Sequence, residues 1–250
     1  GKNFGHSGAK LIWGGEAVAV RHDGRANPNQ LLINDLNLAE IESLRPDLVA
    51  THEADFGTST DLLIGLQLTH SGRYSKPNAK DRSEPRIAQR NPVLDARLGI
   101  TDDSSMLSDD DLSRLIEDFI DAATLSEKAG FQFVDVKHCH GYLGHELLSG
   151  VDRPGKFGGS FENRTRFLRD IVQGIRACTS GLEIGVRASI FDFLPYRPGD
   201  NRVGVPEAGG DPRLAFGSDA TGTDVDLDEP SKFLTLLKSL GIRMVCTTAG

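Results

Sequence analysis

The stretch FVDVKHCHGYLGHELLSG, residues 133–150, carries five reactive side chains within six positions. Its first residues form an apolar run that predicts a buried strand, and the reactive side chains come where that strand ends. They are Lys137, His138, Cys139, His140 and Tyr142. Such a group could form a metal site, a covalent lysine or a clamp for a carbonyl oxygen. Other parts of the sequence are needed to distinguish among these three kinds of site.

Length, composition and charge predict one globular domain over residues 1–250. The chain is 38% hydrophobic and 26% charged, the balance of a soluble protein with one sizeable core. Its net charge of -8 argues against nucleic acid or an anionic membrane surface as a partner. Three scattered cysteines predict a reducing, cytoplasmic location, and no apolar run approaches the roughly 20 residues of a membrane span.

Five apolar segments predict buried strands, and helical patterns lie between them. The predicted strands are residues 10–20, 62–70, 131–138, 182–190 and 242–248. The clearest helix begins at Ser108, which forms a capping pair with Asp111. The other helices are expected around residues 36–44, from Ser160 onward and around residues 231–240. Strands that alternate with helices predict a parallel α/β sheet or barrel.

The connections that follow strands are long, notably residues 71–107 and 191–230, whereas helix-to-strand connections turn sharply at single glycines. In open α/β sheets and in (β/α)8 barrels alike, function lies at the carboxyl ends of the strands. The chain contains no GxGxxG or P-loop pattern, which disfavours a nucleotide-binding open sheet. The segment 191–230 predicts a lid over this end of the sheet, and an ordered surface excursion is the alternative.

Strand alternation predicts which side chains face the interior. With the larger apolar residues against the helices, Gln67, Lys137 and Arg187 from three successive strands point to one interior, with Asp135 beside them. Barrel interiors are normally filled by branched apolar side chains, and burying an amide and two cations without partners is costly. We therefore expect a polar ligand to meet these groups.

The chain resembles the old yellow enzyme family of FMN-dependent oxidoreductases. The resemblance covers almost the whole chain in the right order, and its most specific part is GYL…FGGSFENRTRF. The segments that carry it are LIWGGEAVAV…DGRANPNQL (11–31), GLQLTHSGR (65–73), KHCHGYLGHELLS (137–149), DRPGKFGGSFENRTRF (152–167) and GVRAS (185–189).

The resemblance implies a (β/α)8 TIM barrel that holds FMN at its carboxyl-terminal mouth. The five predicted strands then correspond to the second through sixth of the barrel, so that the chain is expected to be an internal fragment lacking the first strand and the last two. Loops after the last two strands normally grip the phosphate. The fragment alone is therefore expected to retain FMN poorly and to expose two sheet edges.

The resemblance also assigns three cofactor-binding residues. Gln67 matches the glutamine that hydrogen-bonds the flavin pyrimidine edge. Arg187 matches the arginine beside flavin N1 and O2, where a cation stabilises charge on the reduced ring. Ala17 matches a backbone contact to the flavin. The alternative for Arg187 is an interior ion pair with Asp135, and the alternative for Ala17 is packing.

Three further residues match the family's catalytic positions. Tyr142 matches the proton donor to the α-carbon of the substrate. His140 matches the second of two donors that hold the substrate's carbonyl oxygen, in a pattern of His-x-x-His or His-x-x-Asn. Lys137 stands in the first position, a departure that replaces a rigid ring with a flexible point charge and puts the usual enone substrates in doubt. His138 is expected to point away from the interior.

The implied activity is hydride transfer from NAD(P)H, through FMN, to an electron-poor C=C bond of a small molecule. A dehydrogenase or demethylase acting on amines or methoxy compounds is the alternative within the family, and an iron–sulfur cluster would require an extension beyond this chain. Outside the family, Lys137 could form a Schiff base in a lyase, and His138, Cys139 and His140 could bind a metal, or the protein could be a non-enzymatic binding module. The oligomeric state is left open.

Overall fold

The computed structural model describes residues 2–14 and 17–249, which form a curled sheet of parallel strands covered by helices. In the sheet, β1 and β2 lie one after the other along one edge of β3, and β4, β5 and β8 follow in that order on its other side. The strands β1 to β8 in chain order are Leu11–Ile12, Ala17–Ala19, Leu63–Thr69, Phe133–His138, Glu183–Phe191, Tyr196–Pro198, Gly204–Pro206 and Met244–Ala249. The strands β6 and β7 form a separate antiparallel hairpin within the segment 191–230.

Nine helices are described, α1 to α9 in chain order, over the same parts of the chain. They are Lys2–His6, Leu38–Glu42, Pro46–Phe56, Pro92–Leu98, Asp109–Lys128, Leu143–Leu148, Phe161–Arg164, Arg166–Cys178 and Asp228–Ser239. The helices expected at Ser108, Ser160 and 231–240 are confirmed within a few residues, and the one expected at 36–44 is shorter. No membrane-spanning candidate is found among the helices of residues 2–14 and 17–249.

The first predicted strand, residues 10–20, is wrong as one continuous element. It is divided into β1, which pairs with Leu63 and Ile64, and β2, which pairs with Gln67 to Thr69. Gly14 lies between the two strands with a φ of 59°, a left-handed conformation that turns the chain, and a Cβ built on it would lie 3.1 Å from Gln67 Cβ. A glycine within an apolar run leaves the hydrophobic pattern unbroken, so that the pattern alone does not reveal such a turn. Residues 15 and 16 lie outside the described ranges.

The core lies between the sheet and the helices, where strand alternation places the larger apolar side chains. Leu66, Leu68, Val134, Val136 and Val186 are all fully buried. They pack with the amphipathic faces of α5 and α8, which belong to the same hydrophobic cluster. The opposite face carries polar residues, as the sequence predicted, together with the aromatic rings of Phe133 and Trp13.

The helix α5 begins with a capping box. Ser108 Oγ accepts from the backbone N–H of Asp111 at 3.1 Å, and the Asp111 carboxylate accepts from the backbone N–H of Ser108 at 3.0 Å. We expect Ser108→Ala to lower the free energy of unfolding by about 1 kcal/mol, since it leaves a helix N–H without an acceptor. Urea unfolding followed by circular dichroism measures this change. Ser231→Ala in α9 is the matched control, because the Ser231 hydroxyl makes no hydrogen bond to any described residue; equal losses in the two variants would contradict the capping role.

Candidate functional site

The candidate site starts from one row of residues that crosses the interior face of the sheet. Ala17 in β2 pairs with Gln67 in β3, Gln67 with Asp135 in β4, and Asp135 with Gly185 in β5. Two of the residues predicted to hold a cofactor are thus direct neighbours across the sheet. A parallel register of this kind brings side chains together that lie 50 residues or more apart along the chain.

Asp135 organises this row through three hydrogen bonds. Its Oδ2 accepts from Gln67 Nε2 at 2.5 Å and from Trp13 Nε1 at 2.9 Å, and its Oδ1 accepts from the backbone N–H of Arg187 at 2.7 Å. The ion pair between Asp135 and the Arg187 guanidinium, which the sequence left open, is therefore not formed. Burial raises the pKa of Asp135, while the bonds from Gln67 and Trp13 favour its charged form. The carboxylate holds the Gln67 amide in one orientation, with Oε1 left to accept from a ligand.

Two residues beyond Asp135 and Gly185, toward the carboxyl ends of β4 and β5, two cationic side chains lie next to each other. Lys137 in β4 pairs with Arg187 in β5. Within residues 2–14 and 17–249, neither side chain makes a hydrogen bond or an ion pair, and Arg187 Nε is buried without an acceptor. Burial lowers the pKa of Lys137, and the neighbouring Arg187 lowers it further, although Cys139 and Asp135 oppose the shift. This part of the interior is thus short of negative charge.

Lys137 also contacts the predicted proton donor. Its Nζ lies over the ring of Tyr142, 3.7 Å from the ring centroid, which is the geometry of a cation–π interaction. Tyr142 occupies the N-cap position of α6, so that its backbone is held by the start of that helix. The structure thus brings together Lys137, Arg187 and Tyr142, three of the six residues that the sequence singled out.

The turn between β4 and α6 positions His140. This residue has a φ of 60°, a left-handed conformation that is uncommon for a residue other than glycine and typical of constrained sites. Its backbone N–H donates to Ser189 Oγ at 3.1 Å, and the next N–H, of Gly141, donates to His145 Nδ1 at 2.9 Å. Burial lowers the pKa of His140, and Lys137 and Arg187 lower it further. The imidazole is therefore neutral near pH 7 and can donate one hydrogen bond.

The neighbours of His140 do not form a metal site with it. His138 faces the helices, where its ring packs 6.3 Å from that of Phe167 and 6.5 Å from that of Phe233, and burial lowers its pKa to about 4. Cys139 is fully buried, and burial raises the pKa of its thiol to about 11. In the part of the chain that the structure describes, no group of three or more His, Cys, Asp or Glu side chains could hold a metal ion. The expected outward orientation of His138 is confirmed.

A buried ion network behind the site was missed by the sequence analysis. Arg73, in the loop after β3, donates to the carboxylates of Glu146 in α6 and Asp95 in α4, and to the carbonyl of Gln89 at 2.7 Å. Arg73 and Asp95 are nearly inaccessible, and Glu146 is buried. The network ties the long loop 71–107 to the helix that begins at Tyr142. The arginine of the GLQLTHSGR motif was the signal that could have revealed it.

A cavity of about 520 Å³ opens beside His140 and Gly141 at the carboxyl ends of the strands. Its other walls come from the loop 71–107, from the segment 191–230 and from Ala249 at the end of β8. Apolar and aromatic side chains predominate, with a few polar groups among them, which is usual for small-molecule sites. The apolar and aromatic residues include Tyr74, Leu94, Phe193, Leu194, Tyr196 and Leu214, and the polar ones include Asp192.

The segment 191–230 is joined to the loop 71–107 across this cavity. Arg97 Nη2 donates to the backbone carbonyl of Tyr196 at 2.9 Å and forms an ion pair with Glu207. Both partners belong to the segment that the sequence predicted as a lid. Its position beside the cavity suits that role, which stays a prediction.

Comparison with known sequences gives the family of the chain. Residues 6–203 match the NADH:flavin oxidoreductase / NADH oxidase family. An NADH:flavin oxidoreductase of Gibberella zeae is 30% identical over 195 residues, 72% of this chain and 45% of the relative. An NADPH dehydrogenase of Bacillus pumilus is 31% identical over 185 residues, 71% of this chain and 48% of the relative. The chain therefore spans about half the length of these relatives.

Solved structures show the same fold. Morphinone reductase superposes on 98% of this chain with a TM-score of 0.65 at 20% identity, using 63% of its own length. The old yellow enzyme homologue of Zymomonas mobilis superposes on 98% of this chain with a TM-score of 0.61 at 21% identity, using 62% of its length. The expected partial (β/α)8 barrel is thereby confirmed. Because the sequence match covers most of the chain, the chain belongs to the NADH:flavin oxidoreductase / NADH oxidase family, that of the old yellow enzyme.

Proposed function

We propose that the protein is an FMN-dependent oxidoreductase that takes hydride from NAD(P)H and reduces an activated C=C bond of a small molecule. The observation that carries this proposal is a pair of interior cations, Lys137 and Arg187, beside the oriented amide of Gln67, with no counter-charge among the residues that the structure describes. Burying cations next to each other is unfavourable unless an electron-rich ligand meets them. A flavin, whose pyrimidine edge carries carbonyl oxygens and a ring N–H, matches these donors and the open Gln67 acceptor.

The donor set of this interior fits FMN. Arg187 has a buried Nε without an acceptor, and Gln67 presents Oε1 as an acceptor because Asp135 binds its Nε2. Ala17 lies beside Gln67 in the sheet register, where its backbone would contact the ring. When bound, FMN would supply hydride transfer between NAD(P)H and the substrate. Arg187, Gln67 and Ala17 would hold it at the carboxyl ends of the strands.

The remaining residues would act on the substrate. Lys137 and His140 would donate hydrogen bonds to the group that activates the C=C bond, where negative charge develops as the β-carbon accepts hydride. Tyr142 would donate the proton that the α-carbon needs. The cavity beside His140 would hold the rest of the substrate and limit the access of water.

Reconstitution of the whole protein with FMN tests the proposal. We expect a yellow protein whose flavin is reduced by NADH or NADPH and reoxidised by an activated alkene. A protein that could not take up FMN would contradict the proposal. Covalent trapping of a carbonyl substrate on Lys137 by borohydride would also contradict it, since that outcome is expected of a Schiff-base lyase.

Arg187→Met should weaken FMN binding about 10-fold to 100-fold, the loss expected for one hydrogen-bonded charge. Quenching of FMN fluorescence on titration with apo-protein measures the affinity. Arg243→Met is the matched control, because Arg243 is an exposed arginine that pairs with Glu183 at 2.7 Å, away from the interior. Equal affinities of the two variants for FMN would show that Arg187 does not bind the flavin.

A further inference from the structure

Lys137 is a cation that the described part of the protein does not neutralise. The nearest carboxylate on its own strand, that of Asp135, is occupied by Gln67, Trp13 and a backbone N–H. The Cys139 thiol stays protonated because burial raises its pKa to about 11. Its Nζ lies over the face of the Tyr142 ring and makes no hydrogen bond to a residue of the ranges 2–14 and 17–249. A cation–π contact keeps the charge on lysine but leaves its N–H groups free to donate elsewhere.

The proposed contacts to the flavin do not use the positive charge of Lys137. One cation, Arg187, is enough to stabilise a flavin ring that becomes negative on reduction. Lys137 lies on the strand next to Arg187 and against the ring of Tyr142, the proposed proton donor, so that we assign its charge to the substrate. A neutral ketone would need only hydrogen-bond donors at this position. A full positive charge is matched by a full negative charge.

We propose that Lys137 makes the site selective for substrates whose activating group is a carboxylate, that is, for α,β-unsaturated acids rather than neutral enones. This inference rests on the proposed function and specifies its substrate class. One carboxylate oxygen would accept from Lys137 and the other from the neutral His140. The ion pair would lower the electron density that a bare carboxylate pushes into the C=C bond, so that the β-carbon becomes a better hydride acceptor.

The proposed reduction requires NAD(P)H, Tyr142 and water. The C=C bond gains a hydride at the β-carbon, which originates from NAD(P)H, and a proton at the α-carbon, which comes from Tyr142. The acid is thereby reduced to its saturated counterpart, and NAD(P)H is oxidised to NAD(P)⁺. Tyr142 recovers its proton from water. Lys137 remains charged throughout and stabilises the extra negative charge that builds up on the carboxylate.

The charges around the cavity favour one orientation of such a substrate. Asp192 lies in the cavity wall on the segment 191–230, and its carboxylate accepts from the backbone N–H of Phe193 at 2.8 Å, with no cationic partner among the described residues. It would repel a carboxylate at that end. Arg97, a cation in the same wall, is already paired with Glu207. With its acid group at Lys137 and His140, the substrate would extend its apolar part into the cavity that His140 lines together with Phe193, Leu194 and Leu214.

The test compares unreactive ligands that differ only in charge. The FMN-loaded whole protein is titrated by calorimetry with 3-phenylpropanoate, benzoate and butanoate, and with the primary amide of each. We expect the best-bound carboxylate to bind at least about ten times more tightly than its amide, as a hydrogen-bonded ion pair should. Lys137→Arg should keep this preference, and Lys137→Gln, which keeps a donor but no charge, should abolish it.

Three results would overturn the inference: equal affinity for carboxylates and amides, a preference that survives Lys137→Gln, or no binding of any of the acids. Loss of FMN from Lys137→Gln as large as from Arg187→Met would also overturn it, because the lysine would then serve the flavin. Flavin absorbance and its bleaching by NAD(P)H are recorded on the same samples. If the flavin is bound and reduced but the preference is missing, only the substrate class fails; if no flavin is bound, the proposed function fails and the substrate class with it.

Discussion

Replacing Arg73 with methionine should lower the free energy of unfolding by about 3–5 kcal/mol, the usual loss when one partner of a buried ion pair is removed. Arg73 is 1% exposed, and its guanidinium serves both Glu146 and Asp95. The variant would leave the buried carboxylate of Glu146 without the cation that compensates its lost hydration, whereas Asp95 would keep its ion pair with Arg90 at 2.5 Å. Because Glu146 also accepts from the backbone N–H of Ala88, the change would loosen the loop 71–107 together with α6.

The pH dependence of this loss has a defined sign. Burial raises the pKa of Glu146 even with Arg73 beside it. A carboxyl group whose pKa is raised by folding stabilises the protein at low pH, and that contribution is lost as the pH rises through the folded-state pKa. We therefore expect the deficit of Arg73→Met to be smaller at acidic pH, where Glu146 is neutral.

Urea unfolding across this pH range, followed by circular dichroism, measures both effects. Arg213→Met is the matched control, because Arg213 pairs with Asp211 and Asp152 on the exposed surface and should unfold close to the wild type. The double variant Arg73→Met with Glu146→Gln should recover part of the loss. Midpoints for Arg73→Met that coincide with those of Arg213→Met would show that the buried network contributes nothing special.

Tyr142→Phe should slow alkene reduction by about 100-fold to 10,000-fold, the usual contribution of a positioned general acid, while leaving flavin reduction by NAD(P)H near the wild-type rate. The variant keeps the ring on which Lys137 lies and removes only the hydroxyl. Stopped-flow absorbance of the whole, FMN-loaded protein follows the two half-reactions separately. Equal slowing of both would argue against proton donation by Tyr142.

Tyr74 provides the comparison for this experiment. Its ring lies 6.5 Å from that of Tyr142 and lines the cavity, and burial raises its pKa, so that it too could hold a proton. If Tyr74→Phe slowed the alkene step and Tyr142→Phe did not, the donor would be Tyr74. Comparison of the two variants therefore shows whether Tyr142 or Tyr74 donates the proton to the α-carbon.

The elements with strong local signals were predictable from the sequence. The strand at 133–138 and the helix that begins at Ser108 are repeated patterns of apolar residues with recognisable ends, and both were found within a few residues of the expected positions. The same alternation placed Gln67, Lys137 and Arg187 on the interior face. Residue roles came from the resemblance to the old yellow enzyme family, and these roles remain proposals.

The contacts between distant segments were not predictable. Trp13 reaches Asp135 over 122 positions, and Arg73 reaches Glu146 over 73. Nothing in the local pattern shows which acceptor a buried donor will find, because many carboxylates lie at similar separations along the chain. Asp135 illustrates the point: the sequence offered Arg187 as its ionic partner, whereas the structure binds it to the Arg187 backbone.

The sequence alone determined the class of fold and the side chains that face the inside of the sheet, because both follow from the spacing of apolar residues along single strands and helices. Only the tertiary structure decided which of these side chains are neutralised and which are left charged. Hydrogen bonds and ion pairs depend on distances of about 3 Å between segments far apart in the chain, and those distances exist only after the sheet has assembled. For this protein, the result is an Asp135 with three donors and a Lys137 with none of its charge paired among the described residues.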